Sequence, residues 1–280
     1  KQRNYRDRNH KPELIVALTD FFGLRGFRPL SEIKDTLDAT PEFSELARRF
    51  QPNSASLREI YSQVMTWPQQ KVDQTLEPLL QRLGTLHHAR PFTKSDSEYW
   101  LLRADQEYSR DGHHDRGLFS FYLLNLIHLK PGEGIYLPAG TLHAYLEGAG
   151  VEIMANSNNV LRGGLTPKHI DVEELLRNVT FAGEKAEVLR AQPAEGTAER
   201  KYPTPAEEFE LSSIELSASG PYSFADDHSV EVFLVAASSP GARIRLRTEE
   251  GLEETFYRGA AFLIAAGTKY ELKTEGDATL

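Results

Sequence analysis

Apolar residues along this chain change their spacing twice, and the changes divide it into segments of different texture. Near the start, Leu14-Ile15-Val16-Ala17-Leu18 is an unbroken apolar run of strand length. Pro12 disfavours the helical region for Lys11, which suits a strand entrance. Gly23, Gly26 and Pro29 then interrupt the pattern. From about Ser31 to Tyr108 the spacing is helical. Leu57, Ile60, Tyr61, Val64 and Met65 fall at i, i+3, i+4, i+7 and i+8, behind Ser54 or Ser56 as a cap. Val72, Leu76, Leu79, Leu80 and Leu83 form a second stripe, which Gly84 should close. Pro78 inside that stripe should start a new helix or kink the existing one. Ser95 and Glu98 have capping-box spacing before Tyr99. Stripes of this kind read as core rather than as cofactor contacts.

After Gly117 the texture becomes β. Phe119 to Leu129 is a long apolar segment, Lys130-Pro131-Gly132-Glu133-Gly134 a turn, and Ile135 to Leu137 a short strand. Pro138-Ala139-Gly140-Thr141 turns again and leads into His143. Short strands with frequent Gly and Pro turns predict a sandwich or jelly-roll barrel. Gly259 to Tyr270 aligns with Gly132 to His143 at a constant offset, and Gly132, Ala139, Gly140 and Thr141 equal Gly259, Ala266, Gly267 and Thr268. The match suggests two domains of one type, the second with Tyr270 in the place of His143 and without a metal. The polar segment from about Ala186 to Pro205 reads as the linker.

Composition narrows the function. The chain has 280 residues, no cysteine and a net charge of −9. Disulfides and thiolate metal sites are excluded, and nucleic acid is a poor partner for so acidic a chain. No run approaches the roughly 18 apolar residues of a membrane helix, so no membrane partner is expected. The absence of cysteine fits a reducing cytoplasm; a cytoplasmic location and a monomer are expected. The local charge of the first thirteen residues is opposite: Lys1, Arg3, Arg6, Arg8 and Lys11 face only Asp7 and Glu13. That stretch is either a solvated basic loop or a positive rim for an anionic substrate. The start at Lys1 rather than Met implies a further upstream segment.

Candidate chemistry gathers around a few residues. Glu13 stands at the mouth of a buried strand, and His143 between a turn and a strand, where a barrel could aim it inward. A lone histidine is more often structural than a ligand, and a catalytic zinc usually takes about three protein ligands; Glu13 and His143 alone are an incomplete metal site. Arg162 offers a guanidinium that stays charged, next to Gly163 and Gly164, which permit close backbone approach. Taken alone it is a surface ion-pair partner. Glu152 alternates with Val151 and Ile153 as on a strand with one wet face. The pairs His87-His88 and His113-His114 read as polar loop residues, since neighbours on a strand point apart.

Several strings agree in order with one known family. Asn4 through Leu14 resembles the signature of the type I phosphomannose isomerases, and His143-Ala144-Tyr145 and Asn156 through Lys168 resemble the same family. The resemblance runs from Asn4 to about Val172, and more loosely to the C-terminus. It implies a mainly β chain with two cupin-type jelly-roll barrel domains and an α-helical insertion. Residues 1–30 and 117–185 would form the catalytic cupin domain, 31–116 the insertion, and 186–280 a C-terminal cupin-like domain without metal. It implies a zinc enzyme, one Zn2+ per chain, that interconverts mannose 6-phosphate and fructose 6-phosphate through an enediol. Glu13 and His143 would be metal ligands, with two more in an upstream Gln-x-His motif, so this segment by itself is expected to be inactive. Arg162, Lys11, His10 and Glu152 would be catalytic, and Tyr145, Asn158 and Lys168 would bind the sugar phosphate. The base stays open between His10 with Lys11 and, as the alternative, Glu152.

The competing reading is a non-catalytic cupin that binds a sugar phosphate. It draws on Asn158, where the family commonly has Asp. An iron oxygenase is weaker still, because that chemistry uses two His and a carboxylate and the motif here is His-x-Tyr. Asparagine keeps the shape of aspartate but cannot act as a base. Asn158→Asp is expected to leave folding intact and to change turnover by less than about tenfold, or about 1.4 kcal/mol; steady-state kinetics and a melting curve check this.

Overall fold

A computed structural model of the chain describes residues 5–194, 198–218, 220–224 and 228–280. Lys1, Arg3 and Asn4, named above for the basic rim and the signature string, lie outside the described residues. The chain divides into two units, one ending at Val188 and one of Leu189–Leu280.

The first unit begins with strands β1 (Glu13–Ala17) and β2 (Phe21–Phe27). Helices α1 (Leu30–Ala39), α2 (Ser44–Arg49), α3 (Ser54–Thr66), α4 (Gln69–Ala89) and α5 (Ser97–Tyr108) follow. A short turn of helix, α6 (Ser120–Leu123), leads into β3 (Leu124–Leu129), β4 (Glu133–Leu137), β5 (His143–Glu147), β6 (Gly150–Met154) and α7 (Val172–Asn178). Pairing is antiparallel throughout these strands: β1 lies between β4 and β6, and β2 between β3 and β5. The chain is therefore mixed α and β with several antiparallel sheets, and the helical share is larger than a mainly β reading allows. Among the described residues no helix is long and apolar enough to cross a membrane.

Strand β2 runs straight through the glycines expected to end it, and all seven of its residues are buried. Gly23 sits where a Cβ would come within 2.9 Å of the Ala144 carbonyl oxygen, so only glycine lets β5 approach. Gly26, at φ +54°, makes a bulge that shifts the register between Arg25 and Phe27. The extra residue brings Phe27 into the same core as Phe22 and Leu24, packed against Ile33, Leu57, Leu76, Trp100 and Leu101 of the helices. Ile15 and Ala17 of β1 and Ile135 of β4 share a smaller core with Phe21 of β2 and with Ile127 and Leu129 of β3. Sequence alone misses this strand because both of its faces are buried and its glycines serve packing, not turning.

Several helix boundaries also differ from expectation. Asn53, not Ser54 or Ser56, caps α3, its side chain accepting from the Ser56 N–H at 2.9 Å. Helix α4 continues through Pro78 and Gly84 to Ala89, so His87 and His88 lie in its last turn rather than in a loop. An interior proline costs about 3 kcal/mol; burial of Leu76, Leu79, Leu80 and Leu83 on both sides of Pro78 opposes that cost. Ser95 is not a cap: Asp96 stands at the N-cap of α5, and its carboxylate turns back to accept from the Thr93 N–H at 2.7 Å. The first half of Phe119–Leu129 is helical, and only its second half is strand.

The second unit is built from short antiparallel strands. The strand Ile244–Thr248 lies between Glu253–Phe256 and Tyr270–Thr274 and alternates buried and exposed residues. Glu231–Leu234 pairs with Ala261–Ile264. The internal repeat adopts the same local structure twice: Gly132 and Gly259 have φ +82° and +84°, and Gly140 and Gly267 have φ +84° and +72°. Thr141 N–H donates to Pro138 O at 3.1 Å, as Thr268 N–H does to Ala265 O at 3.2 Å. Opposite these strands, Glu13 pairs with Leu137 and Glu231 with Ile264, the aligned position. Glu231 thus stands to Tyr270 as Glu13 stands to His143, and the Tyr270 hydroxyl donates to Glu231 at 2.8 Å.

His114, read above as a polar loop residue, ties the helices together. Its Nδ1 is 2.7 Å from Asp105 on α5 and its Nε2 2.8 Å from Glu77 on α4. Burial works against its charge, but the hydrogen bonds to Glu77 and Asp105 outweigh burial and hold the pKa above the ordinary histidine value. A raised folded pKa contributes stability that is complete below the unfolded value and is lost as pH rises through the folded one. The melting temperature should therefore fall from pH 6 to pH 8, and His114→Gln should flatten that slope; equal slopes in both proteins would remove His114 from the account.

Candidate active site

Two pairs of side chains bridge the sheets of the first unit. Glu13 opens β1, and Glu152 lies on β6 opposite Ile15, two residues along. Residues opposite one another on antiparallel strands share a face, so the two carboxylates are diagonal neighbours. From the other sheet, β5 presents His143 and Tyr145, also two residues apart and therefore on one face. Glu13 Oε2 approaches His143 Nε2 at 3.6 Å. The Tyr145 hydroxyl donates to Glu152 Oε1. The face between the sheets thus passes from the apolar cluster around Ile15 and Phe21 to two polar rungs, with Phe21 edge-on to Tyr145 at 5.4 Å.

The first rung is built around a buried carboxylate. Glu13 is 9% exposed, and burial pushes its carboxyl up while His143 and Lys11 pull it back. Lys11 Nζ lies 3.8 Å from Glu13 Oε1. His143 Nδ1 is 3.0 Å from the Thr141 carbonyl oxygen, to which it can only donate. That bond puts the neutral ring's lone pair on Nε2, facing a carboxylate. A histidine oriented through its other nitrogen and set beside a carboxylate is a usual arrangement of metal ligands. Among the described residues no group of three or more His, Asp or Glu side chains could hold a metal; Glu13 and His143 fit two positions of such a site. In the second rung, burial and then Glu152 raise the Tyr145 hydroxyl's pKa, so it remains a donor.

Both rungs line a cavity of about 1080 Å³, together with Arg8, His10, Lys11 and Arg162. Arg162 is half-buried, and its guanidinium makes no hydrogen bond or ion pair with any described residue. It lies in a stretch between β6 and α7 that forms neither helix nor strand. Gly163 lets that stretch pass the Tyr61 hydroxyl, where a Cβ would come within 2.9 Å. Asp7 holds the start of the stretch, accepting from the Asn158 N–H and the Ser157 hydroxyl at 2.9 Å each. These bonds, the Asn158 backbone foremost, hold its carboxyl below the usual range. Two expected residues stand apart: Asn158 and Lys168 are exposed and do not line the cavity. Asn159 lines it instead, with its amide bound to Asp7 and to Asn9 O.

The sequence and fold match known proteins in the same sense. A model of the phosphomannose isomerase type I catalytic domain matches residues 1–30. The mannose-6-phosphate isomerase of Escherichia coli is 39% identical over 219 residues, 77% of this chain and 53% of its own length. A crystal structure of a phosphomannose isomerase variant from Salmonella typhimurium superposes with a TM-score of 0.79 and 30% identity, over 99% of this chain and 68% of that one. The chain belongs to the type I phosphomannose isomerase family. A further crystal structure, of a mannose 6-phosphate isomerase bound with zinc and yttrium, has 30% identity and a TM-score of 0.79 over 99% of this chain and 67% of that one. The chain spans about half the length of the curated phosphomannose isomerases it matches first.

Asp7 escaped the residue-level reading because a carboxylate that accepts backbone N–H groups leaves no spacing signal. Tyr61 escaped because its place in a helical stripe is that of a core residue. Its hydroxyl is buried without a hydrogen-bond partner among the described residues. An unsatisfied buried hydroxyl costs about 1–3 kcal/mol. Tyr61→Phe should therefore leave stability unchanged or raise it by up to about 1 kcal/mol, as read by denaturant unfolding; a clear loss would reveal a partner for the hydroxyl.

Proposed function

We propose that the protein interconverts mannose 6-phosphate and fructose 6-phosphate, an aldose–ketose isomerisation. The observation that carries this is the half-buried Arg162, without a partner among the described residues, in the same cavity as the Glu13–His143 pair. A fixed cation in a protected wall is a receptor for an anionic substrate. A carboxylate and an imidazole side by side are candidate metal ligands. The combination suits a sugar phosphate whose carbonyl must be polarised. Glu13 and His143 would hold one zinc ion per chain, together with ligands outside this segment. When bound, zinc would supply Lewis-acid polarisation of the substrate carbonyl and stabilise negative charge on its oxygen.

The chain's own groups account for the remaining steps. Arg162 binds and orients the anion, and Arg8 adds positive charge in the same cavity. The reaction removes a proton from C2 of mannose 6-phosphate and returns one to C1, while a hydroxyl proton passes between O2 and O1. His10 is assigned as the base at carbon, with Lys11 beside it as donor to oxygen. A second assignment gives the carbon proton to Glu152. It draws on the Tyr145 hydroxyl, which donates to Glu152 Oε1 and orients the carboxylate. Tyr145 would also contact substrate, whereas Asn158 and Lys168, outside the cavity lining, would act only at its approach. Comparing deuterium exchange at C2 in His10→Gln and Glu152→Gln separates the two assignments.

The domain reading extends the same proposal. Residues 1–30 and 117–185 would form a catalytic cupin-type barrel completed by sequence outside this chain, with 31–116 as a helical insertion. Residues 186–280 would form a second cupin-like barrel without metal. The repeated turn geometry at Gly132–His143 and Gly259–Tyr270 supports it.

The test is turnover of mannose 6-phosphate by the full-length protein before and after chelation. Chelation should abolish it and zinc should restore it. Arg162→Ala should lower kcat/KM by at least about thirtyfold, or about 2 kcal/mol. Folded, zinc-loaded protein without turnover would overturn the reading.

A further inference from the structure

We propose that Asp115 is a positioning residue for Arg162: it fixes the turn from which the guanidinium enters the cavity. The claim rests on reading Arg162 as the group that faces the substrate's anion. Asp115 itself does not line the cavity, so it acts through the backbone.

The segment that carries Arg162 forms neither helix nor strand, and its shape must come from partners elsewhere in the fold. Asp7 holds the upstream end at residues 157–159. Asp115 holds the downstream end. Its Oδ1 accepts from the Leu165 N–H at 2.9 Å and from the Gly117 N–H at 2.7 Å. Leu165 has φ +52°, a conformation that a leucine adopts only when its surroundings impose it. Gly164 beside it has φ +121° and is pressed so tightly on Gly117 that a Cβ would lie 2.4 Å from the Gly117 Cα. Arg162 lies three residues before Leu165, so one carboxylate oxygen sets both the contact with Gly117 and the left-handed turn.

Asp115 is anchored in turn. The preceding residue, His114, donates its backbone N–H to Asp73 at 2.9 Å and is gripped by Glu77 and Asp105. The hydrogen bonds thus run from helices α4 and α5 through residues 114 and 115 to the turn at 164–165. An error of about 1 Å in placing a substrate-binding group can cost a hundredfold in rate, so this support bears on catalysis without touching substrate.

The experiment is a double-mutant cycle in the full-length protein with Asp115→Ala, Arg162→Ala and the pair, and with Asp115→Asn as the conservative variant. Asp115→Ala should lower kcat/KM for mannose 6-phosphate at least about tenfold, mainly through KM. Asp115→Asn, whose amide oxygen can still accept both N–H groups, should stay within about threefold of the parent. In the Arg162→Ala background, Asp115→Ala should cost less than about twofold, because the group it positions is gone. Hydrogen exchange of residues 162–166 should quicken in Asp115→Ala and stay near parental in Asp115→Asn. Equal losses in the two backgrounds, or unchanged exchange over 162–166, would overturn the assignment. If Asp115→Ala does not fold, Asp115→Glu, which displaces the acceptor oxygen, carries the same cycle. A parent without isomerase activity defeats the isomerase reading alone, and the exchange measurement still decides the role of Asp115.

Discussion

A carboxylate withdrawn from water must find positive charge nearby, and Glu13 makes that requirement the one on which the site depends. Strand β1 is buried along its whole length, so its first residue cannot turn to solvent without losing the pairing with β4 and β6. Lys11 Nζ lies 3.8 Å from it, and His143 Nε2 faces it at 3.6 Å. Both groups bear on the one carboxylate that the strand cannot release to water. The position of Glu152 follows from the same strand register, and the Tyr145 donor meets its carboxylate from the facing strand. One strand's burial therefore sets two rungs of the site.

The helical block supports the other half of the cavity. The bulge at Gly26 turns Phe27 into the helical core, where it packs edge-on against Tyr61 at 5.4 Å. Tyr61 in turn lies against Gly163. The same helices grip His114 and so carry Asp115. Arg162 is thus held by a segment with no regular structure of its own, suspended between two carboxylates that belong to other parts of the unit. Such a guanidinium can stay half-buried and without a partner among the described residues because its backbone is fixed from both sides.

Much of this was legible in the sequence, and the reasons differ by element. The helical stripes of α3 and α4 showed themselves by period, and the turns before His143 and Tyr270 by their Gly and Pro residues. Strand β2 did not, because a strand buried on both faces has no alternation and its glycines mimic turn signals. Pro78 and Gly84 misled for the opposite reason: local preference favoured a break, and tertiary burial of the leucines around them overrode it. At the site, residue type alone reads His143, Glu152 and Arg162 as ordinary, and it is the family resemblance that singles them out with Glu13; the four line one cavity. Asp7 and Asp115 could not be named, since they act on backbone N–H groups far away in sequence. The choice between Asn158 and Asn159 was beyond reach too, because an irregular segment has no period to say which side chain turns inward.

The second unit gives a carboxylate at the same register position different partners. Glu231 holds the position of Glu13, Tyr270 in the place of His143 donates its hydroxyl to it at 2.8 Å, and His228 Nδ1 lies 3.3 Å from the same oxygen. An imidazole in that place offers a nitrogen that a metal ion could share with the carboxylate, whereas a phenol offers a proton and closes the pair. A single side-chain exchange at one register position is therefore enough to separate a candidate metal-binding pair from a plain hydrogen bond, with the strand pairing beneath it unchanged.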